Sequence, residues 1–329
     1  MFVRFFKNNS PSSYILLPIF ALVLWLAGFW GGNSTVIRYG MPLYEILARP
    51  LETIPLIAKL TALILVLSEA FLLNYIVNEN EILARPSFLP ALLYIVFMSS
   101  DISMLRLYPI LFSNFFILLA IYRLAGSYRE NRAFSNSFDA GLLLAAASLF
   151  YFPSIIFLPL IGVAFVLFRP FNWREWVISF IGILVPYVFV FIYYFWNDIL
   201  KYWWDDKMFY PALREQAKSN LAASGHAHYF MLSVVFVIVL FALGKLFKGS
   251  SETSQRSRKG TLLLIWFSAF AFISVFLGSE LSIRSFAALT IPLSVFCAGY
   301  FLNVKKGWWG ELLFLLLLIS IFIYQFSAH

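Results

Sequence analysis

The longest polar segment of this chain, Asn197–His228, holds two histidines and a tryptophan pair whose chemistry could bind a ligand. The sequence His226-Ala227-His228 could offer two imidazole nitrogens to a metal. Residues two apart point the same way on a strand but diverge on a helix, and no acidic residue lies close by in the sequence. We therefore favour a helix start or a loop cap at the histidines over a metal site. The Trp203-Trp204 pair suits a membrane interface, or a platform for a sugar ring or a lipid headgroup.

Glu69 is a second candidate, because it lies inside the apolar run Leu56–Val77. An ionisable side chain at membrane depth is costly, and by default it marks a functional site. Lys59 lies too far along the same helix to neutralise the carboxylate. Two roles stay open for Glu69: a hydrogen bond to a neighbouring helix, or a part in proton or ion movement.

The elements that must position these residues are membrane helices. Apolar residues make up 62% of the 329 residues and charged residues only 12%, whereas soluble domains carry about 25% charge. The composition predicts an all-α integral membrane protein that forms a single transmembrane domain over residues 1–329. Cys297 is the only cysteine, which excludes an internal disulfide and a cysteine-based metal site.

About eleven apolar segments match the length that a membrane helix needs, three of them short. They are Tyr14–Trp30, Leu56–Val77, Phe88–Ser100, Leu105–Leu124, Phe138–Phe152, Ser154–Phe168, Trp176–Trp196, Tyr229–Phe247, Thr261–Leu277, Ser282–Leu302 and Trp308–Phe326. The fifth and sixth are separated only around Pro153, so they form a tight hairpin or one broken helix. The N-terminal run is long for a secretion signal and no small-x-small cleavage site follows it, so we expect an uncleaved first helix.

The positions of the basic residues predict the orientation. With the N-terminus inside and the C-terminus outside, the larger share of the 24 lysines and arginines falls in inner loops. This places segment 197–228 on the outer face, as a loop with amphipathic helices after the seventh span. Segment 248–260 becomes a cytoplasmic linker rich in serine and basic residues. The net charge of +8 follows this topology pattern and does not indicate nucleic-acid binding.

The hexapeptide Glu-Ile-Leu-Ala-Arg-Pro occurs twice, at Glu45–Pro50 and at Glu81–Pro86. In the predicted topology the two copies lie on opposite faces of the membrane. A symmetric function is therefore not expected, and we interpret the repeat as coincidence in a chain rich in leucine and alanine.

Motifs of soluble enzymes are missing from the sequence. It contains no Walker loop, no GxGxxG, no HExxH, no GxSxG and no histidine–cysteine cluster with metal-ligand spacing. Ionisable residues instead gather in the predicted outer loops, at Glu45 and Glu52, at Asp101 and Arg106, and at Arg284. Chemistry is therefore expected at the outer ends of the helices.

This layout resembles the GT-C class of polytopic glycosyltransferases, with about eleven helices, an inner N-terminus and charged outer loops after the first and seventh spans. Stretches such as Arg85–Pro90 and Arg169–Trp176 are also similar to a family of uncharacterised bacterial inner-membrane proteins. The first outer loop, Gly31–Pro55, is short for a GT-C enzyme and lacks the adjacent Asp-Glu pair that many members carry.

The GT-C resemblance implies transfer of a sugar from a polyprenyl phosphate carrier to an acceptor on the outer face of the membrane. Glu45, Glu52 or Asp101 would then act as general base on the acceptor hydroxyl. Arginine suits the leaving phosphate through bidentate donation. The residues that would bind substrate are Arg106, Arg284, Arg214, Lys207, Trp203, Trp204 and His226, with the polar segment as a lid.

Two other classes of function stay open. A non-catalytic membrane subunit of an envelope or secretion assembly would bind a protein at the polar segment and tolerate loss of the carboxylates. A transporter or lipid flippase would use Glu69 and the broken helices, although we find no convincing internal symmetry. The expected partners are membrane lipid, the lipid-linked sugar and a protein or glycan acceptor, in a bacterial inner membrane. No cofactor is required by the sequence, and a divalent metal held by outer carboxylates is the open alternative.

Overall fold

A computed structural model describes residues 2–7, 11–30, 41–129, 133–168, 172–198, 226–247, 255–277, 283–304 and 307–327 of the protein. These residues form helices and connecting turns, with no strand among them, as the sequence predicts. Arg214, Lys207, Trp203 and Trp204 lie outside the described residues. His226 begins a helix, and its side chain is not described.

The helices follow the apolar segments closely. They are α1 Phe2–Phe6, α2 Pro11–Trp30, α3 Arg49–Glu52, α4 Pro55–Glu79, α5 Leu89–Met98, α6 Pro109–Gly126, α7 Phe134–Phe150, α8 Pro159–Phe168, α9 Trp173–Trp196, α10 His226–Phe247, α11 Gln255–Leu277, α12 Ala287–Asn303 and α13 Gly307–Ser327. A π-helical turn, Tyr44–Ala48, precedes α3 directly. Short 3₁₀ turns occur at Ile102–Met104, Ser127–Arg129, Phe152–Phe157 and Ile283–Phe286.

Eight of the helical segments described are long and apolar enough to cross a membrane. They are α2, α4, α6, α9, α10, α11, α12 with the turn before it, and α13. Three shorter apolar helical segments correspond to the three segments that are short in the sequence: α5, α7 and Phe152–Phe168. The protein is therefore an integral membrane protein by length and composition of its helices.

Prolines set many of the helix starts. Pro11, Pro55, Pro109 and Pro159 each occupy the first position of a helix, where the missing N–H costs nothing and the fixed φ angle suits the helix. Helix α9 begins after Asn172, whose side chain accepts a 3.3 Å hydrogen bond from the Arg174 N–H. These local signals explain why the ends of the helices lie close to the ends of the apolar runs.

The centre of the bundle is α5, whose ten residues are all buried. Helix α12 packs against it and is itself largely buried. Helix α9 lies at the periphery and buries the smallest share of its surface among the eight long segments. The short α5 is thus a core element, which explains why its sequence is uninterruptedly apolar.

The helix ends gather in two groups. At the first, which we call the Asp101 end, Asp101 meets Tyr324 of α13 and Arg284 meets Ser103. At the second, the Glu311 end, the Glu311 carboxylate accepts hydrogen bonds from the Val3 and Arg4 N–H groups. Arg256 donates to Asn80 at 2.9 Å, which brings the start of α11 to the end of α4.

One segment differs from the predicted layout. The linker predicted at 248–260 is helical from Gln255 onwards, because α11 begins there. The helix is fixed by contacts that the sequence does not reveal, since Ser257 donates to the Ile82 carbonyl at 3.1 Å. Residues 248–254 lie outside the described part of the chain. The polar loop was predicted to extend to residue 228, whereas α10 already begins at His226.

Candidate functional site

Asp101 occupies the loop between α5 and α6 at the Asp101 end. It caps the 3₁₀ turn that follows, since its Oδ1 accepts a 2.7 Å hydrogen bond from the Ser103 N–H. Its Oδ2 accepts a 3.0 Å hydrogen bond from the Tyr324 hydroxyl. Asp101 is buried, and both of its oxygens are engaged in bonds that join parts of the fold.

His228, on the first turn of α10, lies against the same carboxylate. Its side chain is 2% exposed, and its Nδ1 is 3.7 Å from Asp101 Oδ2. The imidazole packs edge-on against the Tyr324 ring, with the centroids 5.0 Å apart. Neither ring nitrogen has a hydrogen-bond partner among the described residues. The sequence singled out His226 for substrate binding, whereas the structure brings His228 to the cluster.

Arg284 comes to this cluster from the 3₁₀ turn that precedes α12. Its Nε donates a 3.1 Å hydrogen bond to the Ser103 carbonyl, which uses one of the five N–H donors of a guanidinium. Its positive charge also acts on the hydroxyls of Tyr44 and Tyr108. Arg284 therefore lies within electrostatic reach of three polar groups from different parts of the chain.

Glu52, the last residue of α3, is the second buried carboxylate at this end. The Tyr44 hydroxyl donates a short hydrogen bond to its Oε1. The side chain is 8% exposed, and its Oε2 is buried without a hydrogen-bond partner among the described residues. Burial raises the pKa of Tyr44, and the hydrogen bond to Glu52 raises it further. Tyr44 therefore remains the donor, and one carboxylate oxygen stays open for another donor.

A π-helical turn begins the segment that holds this pair. Tyr44 begins the π turn and Glu52 ends α3, with Pro50 at the start of α3. Across this turn and α3, two residues that are eight apart in the sequence form a hydrogen bond. The Thr53 hydroxyl donates to the Pro50 carbonyl at 2.7 Å and helps to end α3 before α4 begins.

The other two predicted site residues described at this end have different surroundings. Glu45 is partly exposed and lies 3.7 Å from Arg49, one helical turn along the chain. Arg106 is half-buried and within electrostatic reach of the like charge on Lys59, whose Nζ donates to the Phe29 carbonyl at 3.3 Å. Neither residue joins the buried carboxylates.

Metal binding finds no ready set of ligands in the described part of the chain. No group of three or more histidine, cysteine, aspartate or glutamate side chains is placed to hold a metal ion there. Asp101 already uses both oxygens, and Glu52 offers one. The two histidines of the polar segment lie on a helix, where residues two apart diverge.

Glu69 lies apart from the Asp101 end, in the middle of α4, and is 0% exposed. The Tyr94 hydroxyl on α5 donates a 2.6 Å hydrogen bond to its Oε2. The hydrogen bond to a neighbouring helix, one of the two roles expected from the sequence, is therefore present. It accounts for only one of the two carboxylate oxygens.

Three residues of the site carried no signal in the sequence: Tyr44, Tyr108 and Tyr324. Each is an aromatic residue in an aromatic-rich chain, and each joins the site only because its hydroxyl interacts with a carboxylate. Spacing along the chain does not reveal such contacts, since Tyr324 and Asp101 are far apart in the sequence.

The chain was compared with curated proteins, with solved structures and with protein families. No curated protein and no solved structure matches it. The match is to a family described as a family of unknown function (DUF6427), and it covers residues 1–329. From end to end, the chain belongs to the DUF6427 family.

Proposed function

We propose that the protein is a membrane glycosyltransferase that moves a sugar from a polyprenyl phosphate carrier to an acceptor hydroxyl at the Asp101 end. The observation that carries the proposal is the buried Oε2 of Glu52, which has no hydrogen-bond partner among the described residues, while Arg284 acts electrostatically on Tyr44, the hydrogen-bond partner of Glu52. A carboxylate oxygen of this kind can take the proton of an acceptor hydroxyl. A guanidinium at the same end of the bundle can bind a lipid phosphate.

In the proposal the Asp101 end lies on the outer face of the membrane. The chain crosses the membrane eleven times, so that the N-terminus is inside and the C-terminus is outside. The distribution of basic residues supports this orientation. The grouping of the helix ends supports the alternation. Asn80 and Ile82 contact the start of α11 at the Glu311 end, whereas Asp101, after the short α5, contacts the end of α13.

Glu52 is the base that we select from the three predicted carboxylates. Asp101 already holds together the loop after α5 and the end of α13, so we assign it a positioning role. Glu45 is more exposed, and Arg49 lies near it. Of the three, only Glu52 combines burial, an orientation fixed by Tyr44 and an oxygen that has no hydrogen-bond partner in the described part of the chain.

The proposed reaction is a single displacement at the anomeric carbon. Glu52 Oε2 accepts the proton of the acceptor hydroxyl while the acceptor oxygen forms a bond to that carbon. The bond between the carbon and the phosphate oxygen breaks, and its electron pair stays on the lipid phosphate. Negative charge builds on the phosphate in the transition state, so a fixed cation such as Arg284 lowers the barrier there.

The polar segment would complete the site. The residue types of Trp203 and Trp204 suit a membrane surface, where indole rings are favoured. Lys207 and Arg214 would add positive charge above the phosphate. The polyprenyl chain would lie against the apolar flank of the bundle, in lipid.

Transfer assays with single carboxylate variants test the proposal. Purified protein in liposomes is offered radiolabelled polyprenyl-phosphate sugars together with protein and glycan acceptors. We expect transfer by the wild-type protein and a loss of about 10² to 10⁴-fold in rate for Glu52→Gln, the range that one general base contributes. Glu45→Gln is the matched control and keeps most of the activity. No transfer by the wild type, or an unchanged rate in Glu52→Gln, would overturn the proposal.

A non-catalytic membrane subunit is the second candidate, and the peripheral position of α9 favours it. Most of that helix faces outwards with large apolar side chains, including Phe180, Phe189 and Trp196. Such a face could pack against another membrane protein as well as against lipid. This candidate predicts that Glu52→Gln has no phenotype and that substitutions on the α9 face abolish co-purification with a partner.

A further inference from the structure

A second buried polar cluster lies deeper in the bundle than the proposed transfer site. It consists of Glu69 on α4, Tyr94 on α5, Tyr108 at the start of α6 and Asn114 on α6. All four side chains are buried. The residues come from three helices that pack together at the centre, so the cluster is a product of the fold and not of one sequence motif.

Hydrogen bonds and charge connect these four residues. Tyr94 donates to Glu69 Oε2 at 2.6 Å, and the Asn114 side chain also acts on the Tyr94 hydroxyl. Asn114 Nδ2 donates to the Ala287 carbonyl at 3.2 Å, which joins the cluster to α12. The Tyr108 hydroxyl interacts electrostatically with Glu69 and also with Asp101.

Three oxygens of the cluster are buried without a hydrogen-bond partner among the described residues: Glu69 Oε1, Tyr108 Oη and Asn114 Oδ1. An ionised carboxylate buried in this way is very costly unless a cation or several hydrogen-bond donors satisfy it. Tyr94 provides one donor. Arg284 acts electrostatically on Tyr108, whereas the interactions of Glu69 with the described residues include no cation.

We propose that Glu69 is a membrane-embedded proton-binding site, neutral in the resting protein, whose proton exchanges with the Asp101 end through the hydroxyl of Tyr108. The structure supports this through the full burial of the carboxyl, the Tyr94 hydroxyl as its one hydrogen-bond donor among the described residues, and the buried Tyr108 hydroxyl, which interacts electrostatically with both Glu69 and Asp101. A bound proton removes the cost of a buried charge. A site of this kind is the element that proton-coupled movement in a membrane protein requires.

The exchange step conserves protons and charge. The Glu69 carboxyl gives its proton to the Tyr108 oxygen while the Tyr108 hydroxyl proton leaves towards the Asp101 end, and a proton that returns by the same route makes the carboxyl neutral again. The titratable and charged groups that face this path are Tyr94 on α5, Tyr108 before α6, Asp101 in the α5–α6 loop and Arg284 before α12. Burial raises the pKa of Tyr108, so its hydroxyl keeps a proton to pass on.

Infrared spectroscopy of the protein in lipid bilayers tests whether Glu69 is neutral. A protonated carboxyl has a carbonyl stretch distinct from that of a carboxylate. We expect this band at neutral pH in the wild type, its loss in Glu69→Gln and its retention in Glu52→Gln. Labelling glutamate with carbon-13 in the wild type shifts the same band, which keeps the test valid if Glu69→Gln fails to fold. A wild-type spectrum without a protonated-glutamate band overturns the proposal.

Deuterium exchange tests the route. Transfer into D₂O shifts the Glu69 band as the carboxyl proton is replaced. We expect Tyr108→Phe to slow this shift roughly a hundredfold, the lower end of what one positioned acid–base group contributes. Tyr122→Phe, at the opposite end of α6, is the control and exchanges at the wild-type rate. Exchange at the wild-type rate in Tyr108→Phe overturns the route. Neither measurement depends on sugar transfer, so the proton-binding proposal is tested separately from the proposed enzyme activity.

Discussion

The Tyr324 hydroxyl donates a 3.0 Å hydrogen bond to Asp101 Oδ2, and this contact joins the last helix to the loop that follows the central α5. Gln325 adds a 2.8 Å bond from its amide to the Ser99 carbonyl. The end of α13 is thereby fixed to the core of the bundle. Asp101 is committed to this contact, which is the reason that the proposed base is Glu52 and not the more central aspartate.

Replacement of Tyr324 by Phe should destabilise the protein. The change leaves Asp101 Oδ2 buried without its donor, which costs about 1–3 kcal/mol for such a group. Thermal unfolding in detergent, followed by the loss of helical circular dichroism, measures the effect. Tyr300→Phe is the control, because Tyr300 is partly exposed on α12 and should change the midpoint little. Equal midpoints for Tyr324→Phe and the wild type would show that the bond contributes nothing.

Helices α7 and α9 cross at two glycines, and an added methyl group there should separate them. A Cβ on Gly182 would lie 2.3 Å from the Phe138 carbonyl oxygen, and one on Gly141 would lie 2.3 Å from the Ser179 oxygen. Both obstacles are backbone atoms, so the helices must move apart. We expect Gly182→Ala to cost about 1–3 kcal/mol or more.

Gly244→Ala is the matched control for this crossing. A Cβ on Gly244 meets nothing within 4 Å, and alanine favours a helix more than glycine does. Its midpoint of thermal unfolding should be equal to that of the wild type or higher. If Gly182→Ala behaves in the same way as Gly244→Ala, the close approach of α7 and α9 is wrong.

The orientation of the bundle can be tested with single cysteines. Cys297, the native cysteine, is fully buried and should not react with a membrane-impermeant maleimide in the folded protein. Ser327→Cys, at the Asp101 end, should be labelled from outside in sealed vesicles. Arg258→Cys, at the Glu311 end, should be labelled only after the vesicles are opened. The opposite pattern would place the proposed transfer site on the inner face and would remove its access to an outer acceptor.

The helices themselves could be predicted from the sequence because apolar runs and helix-starting prolines are local signals. Helix α4, for example, extends only a residue or two beyond the run Leu56–Val77 at each end. The prediction was less successful at 248–260, since the helix there is stabilised by Ser257 and Arg256 in contact with residues at the end of α4. Contacts between distant segments are not visible in the local pattern.

The candidate site was only partly predictable for the same reason. The acidic residues stood out because carboxylates are rare in this chain, and Glu52 and Asp101 do lie at one end of the bundle. Their tyrosine partners did not stand out, because tyrosine is common in an aromatic-rich membrane protein. The pairing of Tyr44 with Glu52 spans a π-helical turn, and hydrophobic periodicity does not indicate one.

The central claim, that Glu52 acts as a base beside a lipid phosphate bound by Arg284, is tested most directly by separating donor binding from transfer. Donor affinity and single-turnover transfer are measured in liposomes for the wild type, Glu52→Gln and Arg284→Gln. We expect Glu52→Gln to bind the donor with wild-type affinity but to transfer about 10² to 10⁴-fold more slowly, and Arg284→Gln to lose donor affinity. Wild-type transfer by Glu52→Gln, or a loss of donor binding in that variant alone, would contradict the account.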